Sequence, residues 1–212
     1  MDTDRLIQTL AADNDWRSRS VSMWLAIGLI VAGAISSMMF MMALHVRPDV
    51  ATAMRNPFFD FKFVVTLALA IPAIAIGLRL ARPAAPVGGR GWLLALPVLL
   101  LGLGIVADCL VPQRLPWSAR LIGSNSRVCM TAIPAMSLPI LAAALIALRH
   151  GATTRPALTG AVAGLLSAGL AATLYAAHCT DDSPLFVATW YTIATAAVTA
   201  IGAAVGSRVL RY

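Results

Sequence analysis

The sequence predicts an all-α integral membrane bundle of six transmembrane helices with both termini in the cytosol. Three observations predict it. Of 212 residues, 59% are hydrophobic and 12% charged, and the mean hydropathy is +0.82, whereas an ordinary soluble domain is about 45–50% apolar and about 25% charged. The apolar residues come in six long uncharged blocks rather than in alternation. The basic residues, every one Arg except Lys62, sit at the ends of these blocks, where anionic headgroups and topology control place them.

Residues 1–22 form a cytosolic N-terminal segment, and 23–212 form the transmembrane domain. In the segment, Leu6, Ile7, Leu10 and Ala11 recur at i, i+1, i+4 and i+5, which is one face of a helix. Asp2, Thr3 or Asp4 caps its start, and acidic groups there favour the helix dipole. An interfacial helix would carry basic residues on its polar face, yet the stretch up to Asp15 holds four Asp and one Arg. Asp4, Leu6, Ile7, Leu10 and Ala11 are therefore read as a face that docks into a groove on a soluble partner. The opening Met1-Asp2-Thr3-Asp4 lacks the basic start of a secretory signal.

Spans are expected at about 23–44, 62–80, 92–111, 128–148, 157–178 and 184–206, each near the ~20 residues that cross the hydrocarbon layer. The second has a short uncharged core, and Lys62 and Arg79 are expected to extend it by snorkelling to the interface. The third continues through Asp108 to Val111. Short loops make neighbours antiparallel hairpins. Pro72, Pro97, Pro134 and Pro139 fall within spans and adapt them by kinking. Gly160-x-x-x-Gly164 and Gly202-x-x-x-Gly206 let helix backbones approach closely; packing within the bundle is the expected use, a dimerisation face the alternative. Ten of the sixteen basic residues fall on the N-terminal side of the membrane. The last hairpin loop holds Asp181 and Asp182 and no cation, so both termini are read as cytosolic.

No ionisable residue is expected deep in a span, which argues against a proton- or sodium-coupled transporter. A phosphate-cradling Gly-rich loop, a HExxH motif and a Ser/His/Asp set in recognisable context are all missing, so no enzyme is indicated. Arg residues confined to block ends argue against nucleic acid and for membrane lipid as a partner. The three cysteines show no CxxC spacing, which removes zinc-ribbon and thioredoxin-like readings. In this topology Cys109, Cys129 and Cys179 all fall in the outer layer, with His45, Asp108, His178, Asp181 and Asp182. Thiolate, imidazole and carboxylate together suit a soft or borderline divalent metal ion; no other cofactor is indicated. An oxidising exterior equally allows one disulfide and a leftover thiol, and free cysteine is also a common apolar filler. The residues thus leave open a small six-span channel or transporter, a thiol-based membrane redox protein, and a regulator that holds a soluble partner.

Beyond these readings, Ala172-Thr173-Leu174-Tyr175-Ala176-Ala177-His178-Cys179-Thr180-Asp181-Asp182-Ser183-Pro184-Leu185-Phe186, the Trp190-Tyr191-Thr192 triplet and the ending Gly206-Ser207-Arg208-Val209-Leu210-Arg211-Tyr212 resemble the NrsF-type bacterial membrane anti-sigma factors. The opening Thr3-Asp4-Arg5-Leu6-Ile7-Gln8-Thr9-Leu10-Ala11 is similar to that family's N-terminus, and the resemblance covers essentially the whole chain. It implies a multi-pass protein of the bacterial inner membrane that holds an extracytoplasmic-function sigma factor inactive and frees it under stress, notably heavy-metal stress. Two cysteines carry the response in the family, and by place they match Cys129 and Cys179, with His178 as an adjoining metal donor. Cys109 matches no family role. The N-terminal face is the implied sigma-binding element, helped by the loops around Arg79–Arg90 and Arg149–Arg155.

Overall fold

A backbone built from apolar blocks of this length can satisfy its amides only internally, and the helix does so with local hydrogen bonds. The computed structural model describes residues 3–12, 20–83, 88–112 and 115–211, and among these all regular structure is helical. Helix α1 (Thr3–Ala12) is followed by α2 (Val21–Ala43), a short α3 (Val50–Ala53) and α4 (Pro57–Leu80). A 3₁₀ segment, Gly88–Leu94, leads into α5 (Ala95–Leu110), and α6 (Trp117–Ile122) precedes α7 (Ser126–Leu148). After α8 (Pro156–Ala176), the single turn of α9 (Pro184–Phe186) runs through a π-helical turn, Val187–Tyr191, into α10 (Thr192–Val209).

Six segments are long and apolar enough to cross a membrane: Val21–Ala43, Pro57–Leu80, Gly91–Leu110, Trp117–Leu148, Pro156–Ala176 and Pro184–Val209. Each expected span falls on one of them. Their starts follow from local chemistry. Ser20 caps α2 by accepting from the Met23 amide at 3.3 Å. Asn56 caps α4 by accepting from Phe58 at 3.1 Å, with Pro57 in the first turn, where no amide is needed. That cap starts the helix five residues before Lys62. Neither α3 nor α6 was expected; both lie in connections read as plain loops.

Helix α8 is the hub, with 13 of its 21 residues buried, and it packs most extensively on α10, α4 and α7. The reason is its run of small side chains. A Cβ on Gly160 would strike the Gly202 carbonyl and Gly206, and one on Gly164 would sit 2.7 Å from Thr199 Cα. The two small-residue motifs therefore face each other within one chain, as the packing reading expected. On another face, Gly169 meets Ala70 of α4. Buried hydroxyls join helices where apolar contact discriminates little: Ser36 donates to the Met136 carbonyl at 2.8 Å, and Thr173 to Thr66 at 2.9 Å.

One expectation about charge needs correction. Lys62 does not snorkel outward; it is fully buried and engaged with residues about 120 positions away. Asp108 is likewise buried, near the end of α5, and its carboxylate pairs with Arg120. Both groups lie within two turns of a helix end. A helix-end lysine carries the same local pattern whichever way it turns, so only tertiary pairing distinguishes the two outcomes.

Gly160→Leu should lower the thermal stability of the detergent-solubilised protein by about 3 kcal/mol or more, because backbone rather than a movable side chain blocks the new atoms. Gly33, with nothing near its would-be Cβ, should accept Ala with no loss. Circular dichroism melts of the two variants check the contrast.

Candidate functional site

One end of the bundle gathers residues 44–56, 115–125 and 177–183, and both candidate sensor thiols lie there. Cys129 is in the first turn of α7, where its amide donates to the Asn125 carbonyl at 2.8 Å. Cys179 follows the end of α8, its amide held by the Tyr175 carbonyl at 3.0 Å. Both side chains are fully buried, in one apolar cluster with Phe40, Ile133, Tyr175, Phe186 and Tyr191. The Tyr175 hydroxyl donates to the Asn125 carbonyl at 3.2 Å, tying the start of α7 to the end of α8. Tyr191 comes from the π-helical turn, a device that re-aims side chains. Its hydroxyl is buried beside Cys179.

The loop that carries Cys179 is held by charge. Its own carbonyl accepts from Lys62 Nζ at 2.8 Å and from Arg47 Nη1 at 3.3 Å. Three residues on, the Asp182 carboxylate accepts from the same two cations at 2.7 and 3.0 Å, and from Asn56 Nδ2 at 3.4 Å. Arg47 completes its fork on Asp49, with two contacts of 2.7 Å. The Phe59 ring lies beneath both cations, 5.5 Å from the Arg47 guanidinium carbon and 5.1 Å from Lys62 Nζ, where its π face attracts them. Between these anchors, Asp181 accepts from the backbone amides of Ser124 and Asn125 at 3.0 and 2.8 Å. Residues 179–182 thus bind α2, α4 and α7 together at one point.

Local electrostatics follow from this geometry. The hydrogen bond from Arg47 holds the Asp49 carboxyl below its ordinary range, and the same bond raises the guanidinium further. Burial pushes the Cys179 thiol up, although Lys62 and the backbone at Asp181 pull the other way. A thiol raised by desolvation stays protonated, and so unreactive, at pH values where a free cysteine begins to ionise.

The structure brings together some of the expected residues and separates others. Cys129 and Cys179 share the buried cluster, whereas Cys109 is exposed on α5. The His178 imidazole lies toward the surface, with Nδ1 3.0 Å from the His45 carbonyl. Among the described residues no group of three or more His, Cys, Asp or Glu side chains is placed to hold a metal ion. The N-terminal face lies on α1, with Asp4 in its first turn and Ile7 exposed; the side chains of Leu6, Leu10 and Ala11 lie outside the described residues. From the sequence, Asp182 falls among the outer-layer carboxylates and Lys62 at a span end, Arg47 and Tyr191 have no site role, and the pairing of Lys62, Arg47 and Asp182 is not foreseen. One signal was available: Lys62 is the sole lysine among sixteen basic residues, and an ammonium buries more compactly than a guanidinium.

Two outcomes follow. Asp182→Ala, which strands two buried cations, should cost about 3–5 kcal/mol and exceed the loss from Lys62→Met, because Asp182 keeps Arg47 in that variant; thermal melts in detergent compare them. At pH 7–8 a maleimide should label exposed Cys109 rapidly, while Cys129 and Cys179, both fully buried, react only after unfolding. Mass spectrometry of the labelled peptides reads the order.

Similarity to known proteins covers the same residues. The family described as negative regulator of sigma F, NrsF, matches residues 10–212. The anti-sigma-F factor NrsF of Caulobacter vibrioides (strain NA1000 / CB15N) is 34% identical over the full length of both chains. The probable anti-sigma-F factor NrsF of Azospira oryzae (strain ATCC BAA-33 / DSM 13638 / PS) is 33% identical, again over the full length of both. No solved structure matches the chain. The family match takes in Leu10 and Ala11 and begins after Asp4, Leu6 and Ile7. With the cysteine loop, its ion-pair anchor and all six long helices inside the matched region, the chain belongs to the NrsF family of negative regulators of sigma F.

Proposed function

We propose that the chain is a multi-pass inner-membrane anti-sigma factor that sequesters an extracytoplasmic-function sigma factor through α1 and releases it when Cys129 and Cys179 meet a thiophilic metal or an oxidant. The reading is that of a regulator rather than an enzyme. The observation that carries it is the pair of buried thiols, Cys129 and Cys179, in one cluster sealed by Lys62, Arg47 and Asp182. Both termini are cytosolic in this reading, and the thiol end faces outward.

The mechanism is a difference in fit. A close-packed interior has no spare volume for a metal ion or for the shortened geometry of a disulfide. Metal binding needs thiolates and so releases protons from both thiols. Oxidation instead joins the sulfurs, with two electrons and two protons passing to a peroxide or quinone oxidant. Either change moves residues 179–182, and their carbonyl and carboxylate are what hold Lys62 of α4 and Arg47 after α2. Helix α2 runs from this end of the bundle to the end nearest α1 in sequence, so a shift at the cap reaches the sigma-binding side. A ligand does this only in proportion to its differential affinity for the two packings. The acidic tip of α1, including Asp4, and the apolar residues Leu6, Ile7, Leu10 and Ala11 form the docking face.

Affinity capture of the full-length protein from native membranes should recover a sigma factor. Ile7→Asp, a charge on an exposed position that touches no core, should lower that recovery at least about tenfold, the loss expected when an apolar anchor is removed from a helix-in-groove contact. Cadmium or diamide should release the partner from the wild type and leave it bound to Cys129→Ser/Cys179→Ser. Undiminished recovery with Ile7→Asp would remove α1 from the account. Release from the double serine variant would remove the thiols.

A further inference from the structure

Helix α7 starts without a side-chain cap of its own. Asn125 stands at its N-cap, yet its side chain accepts from no amide of the helix, although a capping oxygen there would satisfy one of the free donors. The amides that lead into α7 are taken from across the bundle instead. The Asp181 carboxylate accepts from those of Ser124 and Asn125 at 3.0 and 2.8 Å, at a helix end whose dipole favours negative charge. The Asn125 side chain turns the same way: Nδ2 donates to Asp181 at 3.0 Å and to the Thr180 hydroxyl at 2.9 Å.

The backbone of Asn125 completes the link. Its carbonyl accepts from the Cys129 amide at 2.8 Å and from the Tyr175 hydroxyl at 3.2 Å. One residue therefore holds the turn before Cys179, the two residues after it and the amide of Cys129. Gly123 lets the two segments come this close. Its φ is +61°, and a Cβ there would sit 2.8 Å from the Asp181 carboxyl carbon and closer still to the Phe186 ring, so a side chain is excluded on both counts. The consequence is mechanical: when residues 179–182 shift, the start of α7 goes with them. Without the link, a shift that admitted a cation at one thiol would draw that thiol away from the other. Donors already held together bind one ion at a lower ordering cost than donors that must first meet.

We infer that Asn125 is a positioning residue that keeps Cys129 and Cys179 in register, so that the two thiols take one thiophilic divalent cation between them. The inference rests on the thiol reading above and adds the residue that makes the pair act as one. On binding, two S–H bonds break, two metal–sulfur bonds form, and two protons pass to solvent.

Cadmium titration of the reduced full-length protein in detergent, followed by the ultraviolet cadmium–thiolate charge-transfer band, tests it. Cys109→Ser is present in every sample, so that the exposed thiol contributes nothing. The parent should bind one cadmium ion through Cys129 and Cys179 together. Asn125→Ala keeps the backbone bonds of residue 125, loses only the amide group, and should weaken binding about three- to tenfold, the loss expected for one hydrogen bond. Asn125→Asp sets a second carboxylate against Asp181 and should weaken it at least about tenfold. The exchange Asn125→Asp/Asp181→Asn again opposes one donor to one acceptor and should return the affinity to within about threefold of the parent. Thr159→Ala deletes a buried hydroxyl at the other end of α8 and should leave the affinity unchanged, which separates register from general loosening. Parent-like affinity in Asn125→Ala would overturn the role of Asn125, as would equal loss with Thr159→Ala or an exchanged pair no tighter than Asn125→Asp. Absence of the band from the parent would overturn the thiol reading itself, whereas a strong parent band that Asn125→Ala leaves intact would overturn the positioning role alone.

Discussion

The Lys62 ammonium is fully buried, and much of this fold answers to that fact. An isolated charge in a low-dielectric interior costs several kcal/mol, and removing its partner leaves that cost exposed. Asp182 and the Cys179 carbonyl supply the compensation at 2.7 and 2.8 Å, so the loop after α8 has one position relative to α4. Arg47 shares both acceptors and draws in the connection after α2. Cys179 is thus fixed by its backbone, while its thiol is left among apolar neighbours.

In the proposed function, this arrangement separates two properties that a sensor needs. The thiols are chemically quiet in the resting protein, because burial disfavours the Cys179 thiolate and no third donor is placed beside the pair among the described residues. The ion pairs that hold them are nevertheless non-local and meet in a four-residue loop. A small displacement there breaks several interactions at once, whereas the same displacement in the α8–α10 seam would be resisted by backbone contacts at Gly160 and Gly202. In the proposed function, a rigid seam beside a charge-held cap is the physical basis for two discrete packings, and the sigma factor reads which of them the bundle holds.

Much of the fold was legible in the sequence because membrane-length apolar blocks permit few alternatives. The facing glycine motifs and the α1 periodicity were legible for the same reason: spacing of 3.6 is local information. What was not legible is tertiary. Lys62 at a helix end gives no hint that it turns inward to Asp182, and the Asp181-Asp182 loop looked unpaired because its partners lie on α4, after α2 and before α7. Asp108 was counted as a span end rather than as a partner for Arg120. The π-helical turn that aims Tyr191 leaves no periodic trace, and His178, adjacent to Cys179 in sequence, faces the surface instead of the thiols.

In the proposed function, the Asp182 clamp keeps the protein in its sigma-holding state. The direct measurement is transcription from a sigma-dependent promoter in cells carrying Asp182→Asn, with the membrane level of the variant monitored in parallel. The expected result is high transcription without metal or oxidant while the variant remains at wild-type level. Tight repression that still responds normally to cadmium would contradict it.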